Sequence, residues 1–149
     1  MPPITTFAPF VSRWSVILVD STVWIDLLRK LDTVPVRHLR KLLDLGEATV
    51  APVIVQEVLQ GSVNPAAFEK LQRYFAAMPM SGADDAVELH VAAARLYARA
   101  RWQGVTPRSP HDCLIAVTAL GARISLLHDD RDFELLATVE PKLKLVPRH

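Results

Sequence analysis

Short, mostly apolar runs of β-forming residues alternate along this 149-residue chain with longer stretches of helical periodicity, and that alternation constrains its fold more than any other feature. The runs cover residues 15–19, 48–50, 124–127 and 143–146. Strands alternating with helices predict an α/β architecture, because a parallel strand pair needs a crossover that a helix usually supplies. The first and third runs are apolar almost throughout, as befits strands covered on both faces. The expected result is a three-layer α/β/α domain around a small, mainly parallel sheet.

The helical stretches have their own punctuation. Residues 22–31 and 36–45 read as a helical hairpin broken at Pro35, with Val36, Leu39, Leu42 and Leu43 on one face. Pro52 suits a first helical turn, with Val53, Ile54, Val58 and Leu59 on the buried side before Gly61 stops the helix. A helix over 65–77 sets Phe68, Leu71 and Phe75 in register. The longest, over 83–103, groups Val87, His90, Val91, Ala94, Tyr97 and Ala98 on one face, where His90 is expected in the core. Residues 105–108 then link to a helix opened by Ser109, with Pro110 in its first turn and Asp112 where a capping-box carboxylate would lie.

The length suits one compact domain, expected over 15–149 and preceded by a flexible arm over 1–14. That arm holds three prolines and no uninterrupted apolar core, so it reads neither as a secretory signal nor as a membrane span, and a functional start near Val16 is a further reading. A lone cysteine, Cys113, excludes an intramolecular disulfide framework and points to a reducing, cytoplasmic setting. The net charge of +1 is uninformative about nucleic acid, since acids can gather in a site with basic residues around it.

Four acids carry the functional argument. Asp20, Glu57, Asp112 and Asp130 each fall at or just after the start of an expected helix. Singly, each has a bland explanation: Asp20 and Asp130 as N-caps, Asp112 as the reciprocal partner of Ser109, Glu57 as a solvated helix residue. Together they converge, because ligands of open α/β sheets bind beyond the carboxyl ends of the strands. Clustered carboxylates repel one another unless a cation neutralises them, and oxygen ligands without a His or Cys cluster favour Mg²⁺ or Mn²⁺ over zinc. Phosphodiester hydrolysis suits such a site. Asp20, Asp112 and Asp130 are expected as metal ligands and Glu57 as a ligand or orienter; Asp132, Ser21 and His128 are accessory candidates, and Asp129 is expected to face solvent.

The segments VILVDSTVWIDLL (16–28), VIVQEVLQG (53–61), SPHDCLIAVTAL (109–120) and LLHDDRDFELLA (126–137) together resemble the PIN-domain ribonucleases, specifically the VapC toxins of toxin-antitoxin pairs. The resemblance implies a PIN-like fold in which Asp20, Glu57, Asp112 and Asp130 form the acidic quartet that binds magnesium or manganese and cuts RNA. It also implies a homodimer and a cognate VapB-like antitoxin that obstructs the site; separately, no membrane partner is expected. His128 departs from the family pattern, which commonly has Thr or Ser there, and so leaves the local hydrogen bond open.

Other readings compete. An aspartate-nucleophile phosphatase would want a second Asp two residues after Asp20, where Thr22 stands. A PIN-like module without catalysis is the non-enzymatic rival. Cys113 beside His111 is a small core residue rather than a nucleophile, because consecutive helical residues point about 100 degrees apart. Arg95, Arg99, Arg101 and Arg108 form either a phosphate-binding rim or a solvated face, and Trp24, Ile25, Leu27 and Leu28 either pack inside or offer a partner surface.

Overall fold

The computed structural model describes residues 16–149; the arm expected at 1–14, and Ser15, lie outside the described residues. In chain order the elements are β1 (Ile17–Val19), α1 (Ser21–Leu28), α2 (Val34–Leu45), β2 (Ala48–Thr49), α3 (Pro52–Leu59), α4 (Pro65–Ala76), α5 (Ala86–Trp102), α6 (Pro110–Ala122), β3 (Leu126–Leu127) and α7 (Arg131–Val139). The strands form one parallel sheet of order β2-β1-β3, with Leu18 opposite Thr49 on one side and Leu126 on the other. Adjacent residues on a strand face opposite ways, yet Leu18, Val19, Ala48, Thr49, Leu126 and Leu127 are all buried, so helices cover both faces. This is the α/β/α arrangement expected.

The fourth run corrects the strand reading. Residues 143–146 contribute a single parallel bridge, Leu126 to Leu145, and no strand. The Leu126 N–H donates to the Lys144 carbonyl and the Val146 N–H to the Leu126 carbonyl, both at 2.9 Å, and the pairing goes no further. Pro35 is a second correction. It lies in the first turn of α2, where its missing N–H costs nothing, and the Thr33 side chain caps the helix by accepting from the Val36 N–H at 3.1 Å. The break falls earlier, after Leu28, where Lys30 takes a left-handed φ of 61°.

The third correction concerns α5. Its buried side is Ala93, Leu96 and Ala100, packed along α6, while Val87, His90, Val91 and Ala94 face outward, Val87 being 78% exposed. A helix this rich in alanine is apolar on several sides, and its small residues allow the close approach to α6 that decides which side is buried. Gly82 shows how tight that junction is. It combines a φ of 75° with a position where an added Cβ would meet Thr118 Cγ2 at 2.9 Å and Leu89 Cδ1 at 3.0 Å. Trp24 is internal, its indole N–H donating to the Val19 carbonyl at 3.2 Å and its ring meeting Phe75 edge-on.

Candidate active site

Because β1 lies between β2 and β3, the chain leaves β1 toward one neighbour and later returns on the other side, and a crevice opens at the carboxyl ends of β1 and β3. Asp20 follows β1 directly and caps α1. Its Oδ2 accepts from the Thr22 N–H at 3.1 Å and from the Thr22 hydroxyl at 2.6 Å. The same hydroxyl accepts from the Asp129 N–H at 3.1 Å, and the Asp20 N–H donates to the Leu127 carbonyl at 2.9 Å, so the two strand ends are tied into one edge. Burial lifts the Asp20 carboxyl to about 6 in spite of the bonds from Thr22, and the charge of Glu57 adds to the rise.

Asp130 caps α7 in the same way, its Oδ1 accepting from the Asp132 N–H at 2.9 Å. Asp20 and Asp130 are therefore helix caps as well as residues of the carboxyl edge of the sheet. The Asp130 N–H donates to His128 Nδ1 at 3.1 Å. That bond needs an unprotonated Nδ1, and burial lowers the His128 pKa, so the ring is neutral with its proton on Nε2. His128 thus supplies the acceptor at this turn itself, packed edge-on against Phe133.

Asp112 lies in the first turn of α6. The capping box expected there does not form: Ser109 Oγ accepts from the His111 N–H at 3.2 Å, and the Asp112 carboxylate makes no hydrogen bond among the described residues. Its pKa is pushed up to about 7, by burial first and then by the charges of Asp20, Asp130, Asp132 and Glu57. One carboxylate oxygen each from Asp112, Asp130 and Asp132 lie within 4.8 Å of one another. Asp132, 6% exposed, is therefore a full member of the cluster. Asp20 and Glu57 stand outside that tight trio, close enough for their charge to bear on Asp112. Asp129 is half-buried and 3.6 Å from Arg148, contrary to the solvent-facing position expected of it.

Glu57, inside α3, accepts from Ser21 Oγ at 3.0 Å through Oε1, and its Oε2 lies 3.4 Å from His111 Nδ1. Arg108 joins from the linker before α6, donating to Asp130 at 3.0 Å and Asp132 at 2.9 Å. Arg99, by contrast, is tied to the Val139 carbonyl and Glu140. Two contributors, Thr22 and His111, went unassigned in the sequence. Thr22 had a signal, since a hydroxyl residue two places after a capping Asp commonly closes such a turn. Cys113 is fully buried, its thiol raised to about 11, and plays no part. All-oxygen donors and, among the described residues, an unpartnered carboxylate and a single guanidinium bonded to the trio fit a hard divalent cation.

The PIN domain family matches residues 17–139. This chain belongs to the PIN-domain family. Within it, the chain is 33% identical over 125 residues to VapC ribonuclease Mb1587 of Mycobacterium bovis and to Ribonuclease VapC11 of Mycobacterium tuberculosis, alignments covering 83% of this chain and 92% of each relative. Those relatives make it a VapC-type PIN domain. The crystal structure of FitAcB from Neisseria gonorrhoeae shares the fold, with a TM-score of 0.63 at 16% identity over 89% of this chain and 98% of that one.

Proposed function

We propose that this VapC-type PIN domain is an endoribonuclease dependent on magnesium or manganese, and the toxin of a toxin-antitoxin pair. The observation that carries the reading is the trio Asp112, Asp130 and Asp132, oxygens within 4.8 Å, at the carboxyl edge of the sheet, with Asp112 lacking any hydrogen-bond donor among the described residues. A bound divalent ion would supply an acidified water and charge stabilisation for the departing oxygen. Asp20, Asp112 and Asp130 would hold it, joined by Asp132, while Glu57 is kept in orientation by Ser21 and His111. Thr22 fixes the Asp20 carboxylate, and His128 fixes the backbone that carries Asp130.

The names of the relatives, both ribonucleases, support RNA as the substrate. Beside His111 a groove of about 630 Å³ runs between α3, α5 and α6, with Pro52, Leu89, Ala93 and Leu114 in its walls. An unstacked base could rest on such an apolar floor, which is how single strands are commonly held. The outward apolar residues Val87 and Val91 of α5, with Trp102 at 80% exposure, suit a partner, and we assign them to a VapB-like antitoxin or a second copy in a homodimer. The lone buried cysteine supports a cytoplasmic setting, and among the described residues no helix is long and apolar enough to cross a membrane.

The test is cleavage of a mixed RNA pool with Mg²⁺ or Mn²⁺ by the wild type, Asp20→Asn and Asp112→Asn. The wild type should cut and both variants should fall by at least about a hundredfold. Equal cleavage by the variants, or none by the metal-loaded wild type across diverse RNAs, sinks the assignment.

A further inference from the structure

A phosphodiester is an anion, and a cluster of carboxylates repels it, so a cation at the rim has work to do. Among the described residues, Arg108 is the guanidinium bonded into this cluster. Its backbone is held on both sides, by buried Pro107 and by Ser109, the cap of α6. Nη2 donates to Asp130 Oδ1 at 3.0 Å and Nε donates to Asp132 Oδ2 at 2.9 Å, with the Arg108 N–H 3.4 Å from the same Asp132 oxygen. The Asp132 N–H lands on Asp130 Oδ1 as well.

These bonds share a pattern: they all fall on one oxygen of each carboxylate. Asp130 Oδ2 and Asp132 Oδ1 keep no protein donor among the described residues, so Arg108 orients the pair without covering it. The arginine is equally two-sided. Its side chain is 72% exposed although one edge is fully bonded, and Nη1 has no acceptor among the described residues. A guanidinium clamped along one edge and open to solvent along the other has already given up its rotamer freedom, and its planar fork matches phosphate oxygens.

We propose that Arg108 docks a phosphate of the RNA backbone at the rim of the carboxylate cluster, while its clamped edge keeps Asp130 and Asp132 turned toward the site. The inference rests on the ribonuclease reading above. Arg99 and Arg37 are tied to Glu140 and Asp32, and Arg148 to Glu134 and Asp129, and none of them bonds to a member of the trio. Arg108 thereby couples two tasks in one side chain. It offsets the mutual repulsion of the acids, and it marks where the substrate backbone enters.

The experiment uses the full chain as wild type, Arg108→Gln and Arg108→Lys. Binding of a fluorescein-labelled single-stranded RNA of mixed sequence is measured in EDTA at several salt concentrations, and Mn²⁺ binding is measured separately by calorimetry. Arg108→Gln should bind the RNA about tenfold more weakly. Its plot of log affinity against log salt should flatten by about 0.7, the value of one phosphate contact on a single strand. Arg108→Lys should keep the wild-type slope and recover part of the affinity, and both variants should still bind Mn²⁺, because loss of the clamp weakens the site while loss of a neighbouring positive charge strengthens it. RNA affinity and slope unchanged in Arg108→Gln overturn the proposal, and so does loss of Mn²⁺ and RNA binding together, which would make Arg108 a support for the carboxylates alone. A wild type that neither binds the RNA nor cuts the RNA pool with Mn²⁺ overturns the ribonuclease reading itself.

Discussion

The hydroxyl of Ser21 donates to Oε1 of Glu57 at 3.0 Å, joining the first turn of α1 to the middle of α3 across 36 positions of sequence. Ser21 is 8% exposed and the Glu57 side chain 23% exposed, so the bond is partly shielded from water, and a hydrogen bond in such a place contributes roughly 1–2 kcal/mol. Through it, the acid furthest from a capping role acquires a fixed orientation toward the acids at the carboxyl edge of the sheet.

Ser21→Ala should therefore reduce both cleavage and stability. About a tenfold fall in single-turnover rate is expected, with a loss of about 1–2 kcal/mol on chemical denaturation. Rates at the wild-type level in a variant that is merely less stable would show that Glu57 does not need this bond.

The raised acids make metal-free stability depend on pH in a definite direction. Asp20 and Asp112 rise from 3.8 to about 6 and about 7, so between those values the folded chain binds protons more tightly than the unfolded one. Their contribution is fully present below about pH 4 and is lost as pH rises through about 6 and 7. Buried His128 acts in the opposite sense, because its lowered pKa makes protonation unfavourable in the fold. Comparison with Asp112→Asn isolates the carboxylate: in EDTA at pH 8 this variant should be more stable than wild type by about 1–3 kcal/mol, and at pH 4 the difference should vanish. Mn²⁺ should restore the wild type and leave the variant unchanged. Equal stability of the two proteins in EDTA at pH 8 would contradict the desolvated, repelled carboxylate.

The sheet and most helix starts were legible because their causes are local. Asp20, Thr33, Asn64, Ser109 and Asp130 all cap helices by side-chain bonds to nearby N–H groups, and Pro52, Pro65 and Pro110 all lie in first turns, as does Pro35, whose position in the sequence reads as a break instead. The convergence of acids at one edge followed from strand order. What the sequence hid was whatever depended on packing between distant elements. Asp132 looked peripheral until α7 turned it beside Asp112, the outward side of α5 mimicked a core stripe because alanine lies on every side of that helix, and the clamp by Arg108 spans 22 and 24 positions.

His128 is expected to tolerate few replacements. Its buried ring fills space against Phe133, and Nδ1 is the acceptor for the Asp130 N–H. His128→Ala leaves both a cavity and an unpaired N–H, so a loss of about 2–4 kcal/mol is expected. His128→Thr restores an acceptor without the ring, and should recover cleavage ahead of stability. If Thr is no better than Ala in cleavage, the hydrogen bond to the Asp130 backbone has no bearing on the site.

Two substitutions on different sides of α5 should behave oppositely. Ala100 is fully buried and packs in the core, so Ala100→Leu adds volume where none is free and should cost about 1–3 kcal/mol. Val91 is 52% exposed on the outward side, and Val91→Glu should leave the stability of the isolated chain within about 0.5 kcal/mol. The same glutamate puts a charge into an apolar strip with Val87 and Ala94, so it should weaken whatever association covers that strip. Denaturation curves give the first comparison, and sedimentation of wild type and Val91→Glu gives the second. A large stability loss in Val91→Glu at concentrations where the protein is monomeric would mean that this side of α5 is packed within the chain after all.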